Sequence, residues 1–512
     1  MLNRMSRTAF RHLIPFVFVC LAWLMLFPAR PVWAEIPLDE AVWVCVTVPE
    51  FEAAFSELAA YREGQGLTTR VVSISDVSMW ASGQLLPDTP SRIRWFAQRA
   101  YEEWGTRYLL LGGDYDDVPA PLTRRDVGVS IDIAPLDLYY ACLDGDWDGD
   151  GDGWVAEPGD QYDHDPELAV GRLPCDDADQ AAVMVAKTIG FEGRSLSRRG
   201  RVLLAASEFF PPVGDNTIGV HRVQDIITDL DGGEAPLMAT PILQQWQMVP
   251  GSLVLSPEAF AAELAGNDYD HVYYFGQGST ERWSCGGGVE LGFEHLLGLE
   301  GSGRTYVIDS NTCAGADILA EGILERLMAL PDGGAVAARA YATLPFIAGM
   351  FHFDDTYWAV LGSGEPERLG DAHNTALVEA WNTAPTEFYR DHLPLLMLFG
   401  DPALVIRPAA ATSVAPEPTF VIRDLEALPN PFNPSTIVSF AVEAPENVLV
   451  PVRVEIFDLR GRMIATLLDE DLPSGDHGVL WSTGGRSEGA GVYFARVTAG
   501  LNTGVVKLVR VD

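Results

Sequence analysis

Apolar runs of strand length alternate with amphipathic segments of helix length along most of this chain, and this alternation restricts the fold more than any other feature. Buried strands are predicted at Ala41–Val48, Thr68–Ile74 and Tyr108–Leu111. Helices are predicted between them at Phe51–Arg62 and Ser91–Trp104. Strands that alternate with helices form parallel sheets covered on both faces. The sequence therefore predicts a doubly wound α/β fold.

The alternation resumes after an irregular acidic segment. Leu168–Val170 predicts a strand and Asp177–Phe191 predicts a helix. Arg201–Ala206 then begins a second α/β unit that extends to Ile406. We assign residues 35–407 to this domain, with a subdomain boundary near residue 199.

The character of the chain changes after residue 407. Residues 408–421 are rich in proline and alanine and predict a linker. Residues 422–512 predict a small all-β sandwich, because short β-rich runs alternate there with turn residues. These runs are Thr436–Val442, Val450–Asp458, Val479–Ser482, Gly491–Thr498 and Val505–Val511.

The chain is strongly acidic. Its net charge is −38, from 72 acidic and 34 basic residues, and Lys187 and Lys507 are its only lysines. Such a field repels nucleic acid and anionic lipid, so neither is expected as a partner. It is compatible with calcium, a cationic substrate, a salty medium or simply a solvated acidic surface.

Residues Met1–Ala34 have the features of a secretory signal. A basic start precedes an apolar run at Leu13–Phe27, and Val32–Ala34 offers a cleavage site. The alternative is an uncleaved membrane anchor. No later run is long and apolar enough to span a bilayer, so we expect a secreted or cell-surface protein without a membrane span after signal removal.

Export leaves the state of the cysteines open. Cys20 leaves with the signal, and Cys313 is interpreted as a free thiol. The other four allow three pairings into two disulfides, or they all stay reduced. These four are Cys45, Cys142, Cys175 and Cys285.

Two predicted strands end in loops that carry polar or reactive groups. One predicted strand is the short apolar run before Asn311, and the loop that follows it carries Thr312 and Cys313. Asp317–Leu327 predicts the helix after this loop. Asp270–Phe275 predicts a second strand, which leads into the tight loop Gly276–Ser279. Sites form at the carboxyl ends of parallel strands, so we expect both loops to face one cleft. The alternative for Cys313 is a small buried apolar residue.

Asp146–Glu157 fits the twelve-residue calcium loop. Carboxylates occupy its first, third and fifth positions, glycine the sixth, and glutamate the twelfth. No clear helix flanks it, so an isolated loop is expected, and an acidic turn without metal is the alternative. The proposed ligands are Asp146, Asp148, Asp150, Asp152 and Glu157.

Several short segments follow one another in a specific order and spacing between Tyr108 and Ile406. They are YLLLGGDYDDVP, DLYYACLDGDWDGDGDG, PELAVGRLP, GQGST with a following tryptophan, NTCAGAD, AEGILERL, GGAVA and LFGDPA. Together they resemble the gingipain family of secreted cysteine peptidases, whose fold is related to the caspases. The resemblance implies a caspase-like parallel sheet and polypeptide substrates, with no organic cofactor.

The resemblance also implies roles for single residues. Cys313 takes the place of the nucleophile, and Glu167 that of the acid that supports the catalytic histidine. Backbone amides near Gly278 and Cys313 are candidates for the oxyanion site. The histidine position itself holds Gln277, which cannot accept the proton of the thiol. A secreted cysteine endopeptidase of weak or absent activity is predicted, and an inactive binding or structural homologue is the alternative.

Other histidines are candidates for a substitute base. His271 precedes Gln277 by six residues, which is about 20 Å along a strand. The remaining candidates, each more simply explained as a surface or packing residue, are His295, His352, His373 and His392. The acidic residues Asp176, Asp177 and Asp179 favour a basic side chain in the substrate.

The end of the chain carries a second resemblance. LPNPFNPST, IFDLRGR, GDH and GVYF are similar to the Ig-like domain that resembles the flagellar hook-capping fold. Related domains act as sorting or anchoring signals, notably in type IX secretion. The resemblance implies secretion or cell-surface machinery as a partner, and a β-sandwich spacer is the alternative.

Overall fold

The computed structural model describes residues 40–126, 131–157, 159–162, 164–194, 200–208, 218–232, 238–244, 252–386, 390, 392–406, 421–443, 449–458, 462–483, 489–499 and 502–511. The predicted signal, Met1–Ala34, and residues 408–420 of the predicted linker lie outside this part of the chain. Within it, no helix combines the length and the apolar character needed to cross a membrane.

An eleven-stranded sheet forms the centre of the larger domain. Its strands in spatial order are β11 (Leu253–Val254), β10 (Met238–Leu243), β9 (Arg201–Ala206), β12 (His271–Phe275), β15 (Thr305–Asn311), β16 (Gly334–Tyr341), β17 (Leu396–Phe399), β8 (Ala169–Leu173), β3 (Tyr108–Gly112), β1 (Trp43–Thr47) and β2 (Thr69–Ser73). From β11 to β16, and again from β8 to β2, neighbouring strands pair in parallel. β17 is antiparallel to β16.

Helices cover the faces of this sheet. They are α1 (Glu52–Gly64), α2 (Ile74–Trp80), α3 (Thr89–Arg99), α4 (Leu138–Ala141), α5 (Ala178–Glu192), α6 (Ile218–Gly232), α7 (Pro257–Gly266), α8 (Ile323–Ala329), α9 (Ile347–Ser363) and α10 (Leu369–Thr383). Four of them begin where a side chain accepts a hydrogen bond from a first-turn N–H, at Ser73, Asp88, Asp177 and Ser256. Small hairpins extend from the sheet: β4 (Leu122–Asp126) with β5 (Ile131–Pro135), β6 (Gly145–Asp146) with β7 (Gln161–Tyr162), and β13 (Arg282–Gly286) with β14 (Val289–Gly292).

Helix α5 fixes how the two halves of the sheet are related. It begins after the carboxyl end of β8, and Lys187 in its second half donates to the carbonyl of Gly333, just before β16. Arg194, just after the helix, pairs with Asp270 just before β12. The helix therefore returns to the amino ends of β12 and β16, so the carboxyl end of β8 lies at the same edge as the loop of Cys313.

The C-terminal domain has two antiparallel sheets and a core of its own. One sheet contains β18 (Val421–Leu428), β19 (Ser435–Glu443) and β22 (Gly475–Ser482). The other contains β21 (Met463–Pro473), β20 (Leu449–Asp458), β23 (Gly491–Ala499) and β24 (Asn502–Arg510). Their inner faces bury a separate apolar cluster that includes Val438, Val454, Ile456, Trp481 and Val497. The sequence patterns do not predict strands β18 and β21.

A buried ion-pair cluster joins the two domains. Arg496 of β23 contacts Glu263 of α7 at 2.9 Å and Glu455 of β20 at 2.8 Å. Arg453 also donates to the carbonyl oxygen of Gly266 at 2.9 Å. A buried charge is tolerated only when it is paired, so this cluster ties the two domains together.

The predicted α/β fold class is confirmed, with two differences in detail. The unit that begins at Arg201 belongs to the same sheet as the strands before it. The helix after Cys313 starts at Ile323 and not at Asp317, because Asp317 accepts the N–H of Leu319 and forms a turn. The five cysteines described are all free thiols, and Cys45, Cys142, Cys175 and Cys285 are buried.

Candidate functional site

The loops of Gln277 and Cys313 leave neighbouring strands side by side. β12 and β15 are paired in register up to Phe275 and Asn311. The N–H of Gly276 donates to the carbonyl of Asn311 at 3.3 Å, and Thr280 Oγ1 donates to the carbonyl of Ala314 at 3.0 Å. The structure therefore brings the two predicted loops to one cleft at the carboxyl edge of the sheet.

Three influences set the pKa of the Cys313 thiol. Burial raises this pKa, a hydrogen bond from the backbone N–H of Gly278 lowers it, and the negative charge of Asp132 raises it. Burial is the largest, and the net result is a pKa above the usual thiol value. Cys313 is therefore mainly a protonated thiol at neutral pH, and the thiol is the poorer nucleophile.

Gln277 is exposed, while the loop around it is firmly held. Its carbonyl accepts the N–H of Ser284 at 2.8 Å, and Gly278 forms a bridge with Trp283. A Cβ at position 278 would lie 2.9 Å from Cβ of Thr312, so only glycine allows the close approach that lets its N–H reach the sulfur.

Asp132 completes the cleft and was not identified from the sequence. It lies on β5, and its Oδ2 accepts a hydrogen bond from Thr343 Oγ1 at 2.9 Å. The carbonyl of Thr343 in turn accepts the N–H of Ala314 at 3.2 Å. Thr343 thus links the carboxylate to the loop of the thiol.

Glu167 lies at the amino end of β8. Its Oε2 accepts the N–H of Leu143 at 2.7 Å, and its charge acts on Arg94 of α3. Asp132, and not Glu167, is the carboxylate whose charge acts on the pKa of Cys313. The structure thus brings Cys313, Gln277 and Gly278 together and places Glu167 at the other end of β8 from the Cys313 edge.

The histidines considered as a base have contacts of their own. His271 packs against Trp358 at the start of β12. Burial lowers the pKa of His373 to about 3, so this ring is neutral. The other three are His295, whose Nδ1 lies 3.1 Å from the backbone N of Gly292, His352, whose Nε2 lies 2.9 Å from the carbonyl oxygen of Ala380, and the buried His392, which packs against Phe346. Among the described residues, no histidine contributes to the pKa shift of Cys313.

Three carboxyl groups gather near the same edge of the sheet, of which Glu325 is buried, Asp114 is partly buried and Asp176 is exposed. The pKa of Glu325 is raised to about 8, mainly by burial and also by the charges of Asp114 and Asp176, while the N–H of Gly322 lowers it. Burial also raises the pKa of Asp114 to about 6. Glu325 accepts the N–H of Gly322 with one oxygen. This acidic group lies beside α8, the helix that follows the Cys313 loop.

The acidic loop folds so that three of its carboxylates converge. Ligand oxygens of Asp148, Asp150 and Asp152 lie within 4.8 Å of one another, the arrangement that Ca²⁺ requires of oxygen ligands. Asp146 lies in β6, which closes the loop by pairing with β7. Glu157 accepts a hydrogen bond from Arg124 Nε at 3.0 Å. Asp148, Asp150 and Asp152 have the spacing to hold a calcium ion together, while Arg124 pairs with Glu157 and also, at 3.2 Å, with Asp152.

Comparisons with known proteins find relatives among the gingipains. Gingipain R2 of Porphyromonas gingivalis is 22% identical over 386 residues, which cover 72% of this chain and 46% of that protein. Gingipain R1 of the same species is also 22% identical, with 72% and 34% covered. The chain thus spans less than half the length of these relatives.

Solved structures show the same fold. The complex of the pro- and mature domains of P. gingivalis RgpB superposes with a TM-score of 0.55 at 18% identity, covering 92% of this chain and all of that one. The Arg-specific cysteine proteinase gingipain R gives 0.54 at 18% identity, covering 93% of this chain and all of that one. Residues 37–407 match the profile of peptidase family C25. This match spans well over half of the sequence, and the chain therefore belongs to peptidase family C25.

Proposed function

We propose that this protein binds polypeptides in the cleft at Cys313 and hydrolyses them slowly, if at all. One observation carries the proposal: the cleft keeps the thiol but pairs it with Gln277. A cysteine peptidase needs a group that takes the thiol proton and later gives a proton to the leaving amine. An amide side chain does neither.

The surroundings of the thiol support slow chemistry. The pKa of Cys313 is raised, and Asp132 opposes formation of the thiolate. Any hydrolysis would proceed by attack of Sγ on the scissile carbonyl, with backbone amides near Gly278 and Cys313 facing the developing oxyanion. The nucleophile and these amides remain, while the base is absent at its position.

The rim of the cleft supports binding of an extended chain. Four side chains near Asp132 and Thr343 are apolar and between 41% and 64% exposed, namely Ile131, Ile133, Leu344 and Phe346. Exposed apolar groups that cluster at a cleft mark a binding surface. The acidic residues Asp114 and Asp176 favour a basic side chain in the bound polypeptide, while the raised pKa of Glu325 leaves that group mainly neutral at pH 7.

The proposal includes a structural calcium ion held by Asp148, Asp150 and Asp152. When bound, the ion would neutralise their mutual repulsion and stabilise the loop between β6 and β7.

We also propose that the protein is exported, because Met1–Ala34 has the features of a secretory signal. The Ig-like C-terminal domain then has a sorting or anchoring role, with secretion or cell-surface machinery as its partner.

Binding and hydrolysis can be measured separately. A library of fluorescent peptides with a basic residue is titrated against wild-type protein and Cys313→Ala, and cleavage is followed under reducing conditions with calcium. Binding by both proteins, with slow or no cleavage by wild type and no cleavage by Cys313→Ala, is the expected result. Rapid cleavage that depends on Cys313, or no binding at all, contradicts the proposal.

An active cysteine endopeptidase is the second candidate. The hydrogen bond from Gly278 to the sulfur favours it, because this donor stabilises a thiolate. A thiol-reactive peptidyl probe separates the two candidates. Labelling at Cys313 within minutes supports the active enzyme, and labelling no faster than that of a small alkylating reagent supports the binding protein.

A further inference from the structure

A buried network beneath the cleft connects both of its loops to one carboxylate. Asn311, the last residue of β15, lies two residues before Cys313 and is buried. Its carbonyl accepts the N–H of Gly276, the residue before Gln277. Asn311 therefore helps to hold the two loops together, beside the hydrogen bond from Thr280 to the carbonyl of Ala314.

The side chain of Asn311 is fixed from below. Its Nδ2 donates to both carboxyl oxygens of Asp354, at 2.9 and 2.8 Å. Asp354 lies on α9 and is 2% exposed. The two contacts leave the amide of Asn311 one orientation, and that orientation sets where β15 ends.

Asp354 also holds the neighbouring strand and the helix behind it. Tyr273 Oη, on β12, donates to its Oδ2 at 2.8 Å. Arg222 Nε, on α6, lies 3.7 Å from the same oxygen, and the charge of Arg339, on β16, acts on it as well. Donors from the two strands that carry the site loops therefore meet on one buried carboxylate.

We propose that Asp354 is a positioning residue for the cleft: through Asn311 and Tyr273 it sets the register of β12 and β15 that directs the N–H of Gly278 at the sulfur of Cys313. The carboxylate form of Asp354 suits this role, because its two oxygens accept hydrogen bonds from Asn311 Nδ2 and Tyr273 Oη. Burial raises the pKa of Asp354 to about 6, so the group is mainly ionised at neutral pH.

The inference concerns the cleft of the proposed function, yet its test does not use peptide binding or hydrolysis. The two proposals can therefore fail separately. The readout is the apparent pKa of Cys313, from the pH dependence of alkylation by iodoacetamide, with the peptide that contains Cys313 quantified by mass spectrometry. Cys45, Cys142, Cys175 and Cys285 are buried, so Cys313 is the described thiol that this reagent reaches.

Asp354→Asn introduces an amide donor among the donors of Asn311 and Tyr273. Repulsion between these donors should displace the two loops and weaken the hydrogen bond from the N–H of Gly278 to the sulfur of Cys313. The apparent pKa of Cys313 should then rise by half a unit or more, and alkylation at pH 7 should slow by about threefold or more. The exchange of the pair, Asp354→Asn with Asn311→Asp, restores a donor facing an acceptor and should recover most of the loss.

Asp355→Asn is the matched control, since Asp355 is the next residue on α9 and pairs with Arg222 but not with Asn311. It should leave the profile unchanged. Asn311→Ala gives a second test if Asp354→Asn folds poorly, and the same rise in the pKa of Cys313 is expected. An unchanged or lowered pKa in folded Asp354→Asn or Asn311→Ala overturns the proposal, as does a shift of equal size in Asp355→Asn.

Discussion

The carboxylate of Asp132 raises the pKa of the Cys313 thiol, although the two residues come from distant parts of the chain. Thr343 links them by one hydrogen bond to each side of the cleft. Because a negative charge disfavours a neighbouring thiolate, Asp132→Asn should lower the pKa of Cys313 and speed its alkylation at pH 7 several-fold. Glu57→Gln, which removes an exposed charge from α1, is the control and should have no effect. A slower reaction in Asp132→Asn would contradict this account.

Position 277 should limit hydrolysis. Gln277→His places an imidazole on the loop that adjoins Cys313, and a positioned general base contributes about 10²- to 10⁴-fold to such reactions. Peptide cleavage should therefore rise at least tenfold over wild type. The added substitution Cys313→Ala should abolish the gain. A folded Gln277→His variant that cleaves no faster than wild type would mean that the rest of the site no longer supports catalysis.

Calcium should stabilise the larger domain. An ion that binds only the folded state at one hundred times its dissociation constant adds about 2.7 kcal/mol to the free energy of unfolding. Chelation should therefore lower the melting temperature by a few degrees, and Asp150→Asn should abolish this response. Asp165→Asn, outside the loop, is the control. Identical melting curves with calcium and with chelator would refute the calcium site.

Arg496 should be important for stability, because its removal leaves Glu263 and Glu455 buried without their partner. Breaking a buried ion pair in this way costs about 3–5 kcal/mol. Urea unfolding of Arg496→Met should show a loss of this order. Arg462→Met is the control, since Arg462 is exposed and pairs with Asp458 at the surface, where an ion pair contributes about 1 kcal/mol or less. Equal effects of the two substitutions would show that the interface contributes little.

The C-terminal domain should fold without the rest of the chain. Its two sheets enclose a separate apolar core. A fragment from Ile422 to Asp512 should give the circular dichroism of an antiparallel β protein and a cooperative melt. In the fragment Arg496 keeps Glu455 and loses Glu263, so the melt should occur below that of the domain in the full chain. A fragment without cooperative unfolding would show that the interface is needed for folding.

The elements that the sequence predicted best are those whose burial is decided locally. The strand at His271–Phe275 is buried on both faces, and the helix at Ala178–Glu192 has an apolar face and Asp177 as its cap. Strand β18 was missed because Asp424 and Glu426 interrupt its apolar pattern, and Asp424 adopts a positive φ of 50° where the pairing shifts. Strand β21 is mostly exposed and acidic at its end, so periodicity gave no signal there.

The sequence likewise predicts only part of the candidate site. The loops of Gln277 and Cys313 follow strong strand patterns, and their meeting at one edge follows from a parallel sheet. Which carboxylate lies beside the thiol depends on the contact between a hairpin and Thr343, which lies far along the chain. No local pattern encodes such a contact, so the sequence could identify acidic residues but could not select Asp132.

The burial of Lys187 has a practical consequence for following the protein in solution. The sequence contains only two lysines, and Lys507 is exposed on the outermost strand of the C-terminal sheet while Lys187 is enclosed between α5 and the carbonyls of Leu327 and Gly333. Apart from the terminal amine, an amine-reactive dye will therefore modify the native protein at Lys507. Modification of Lys187 by the dye requires that α5 has separated from the sheet. The extent of labelling at Lys187 therefore measures opening of the larger domain.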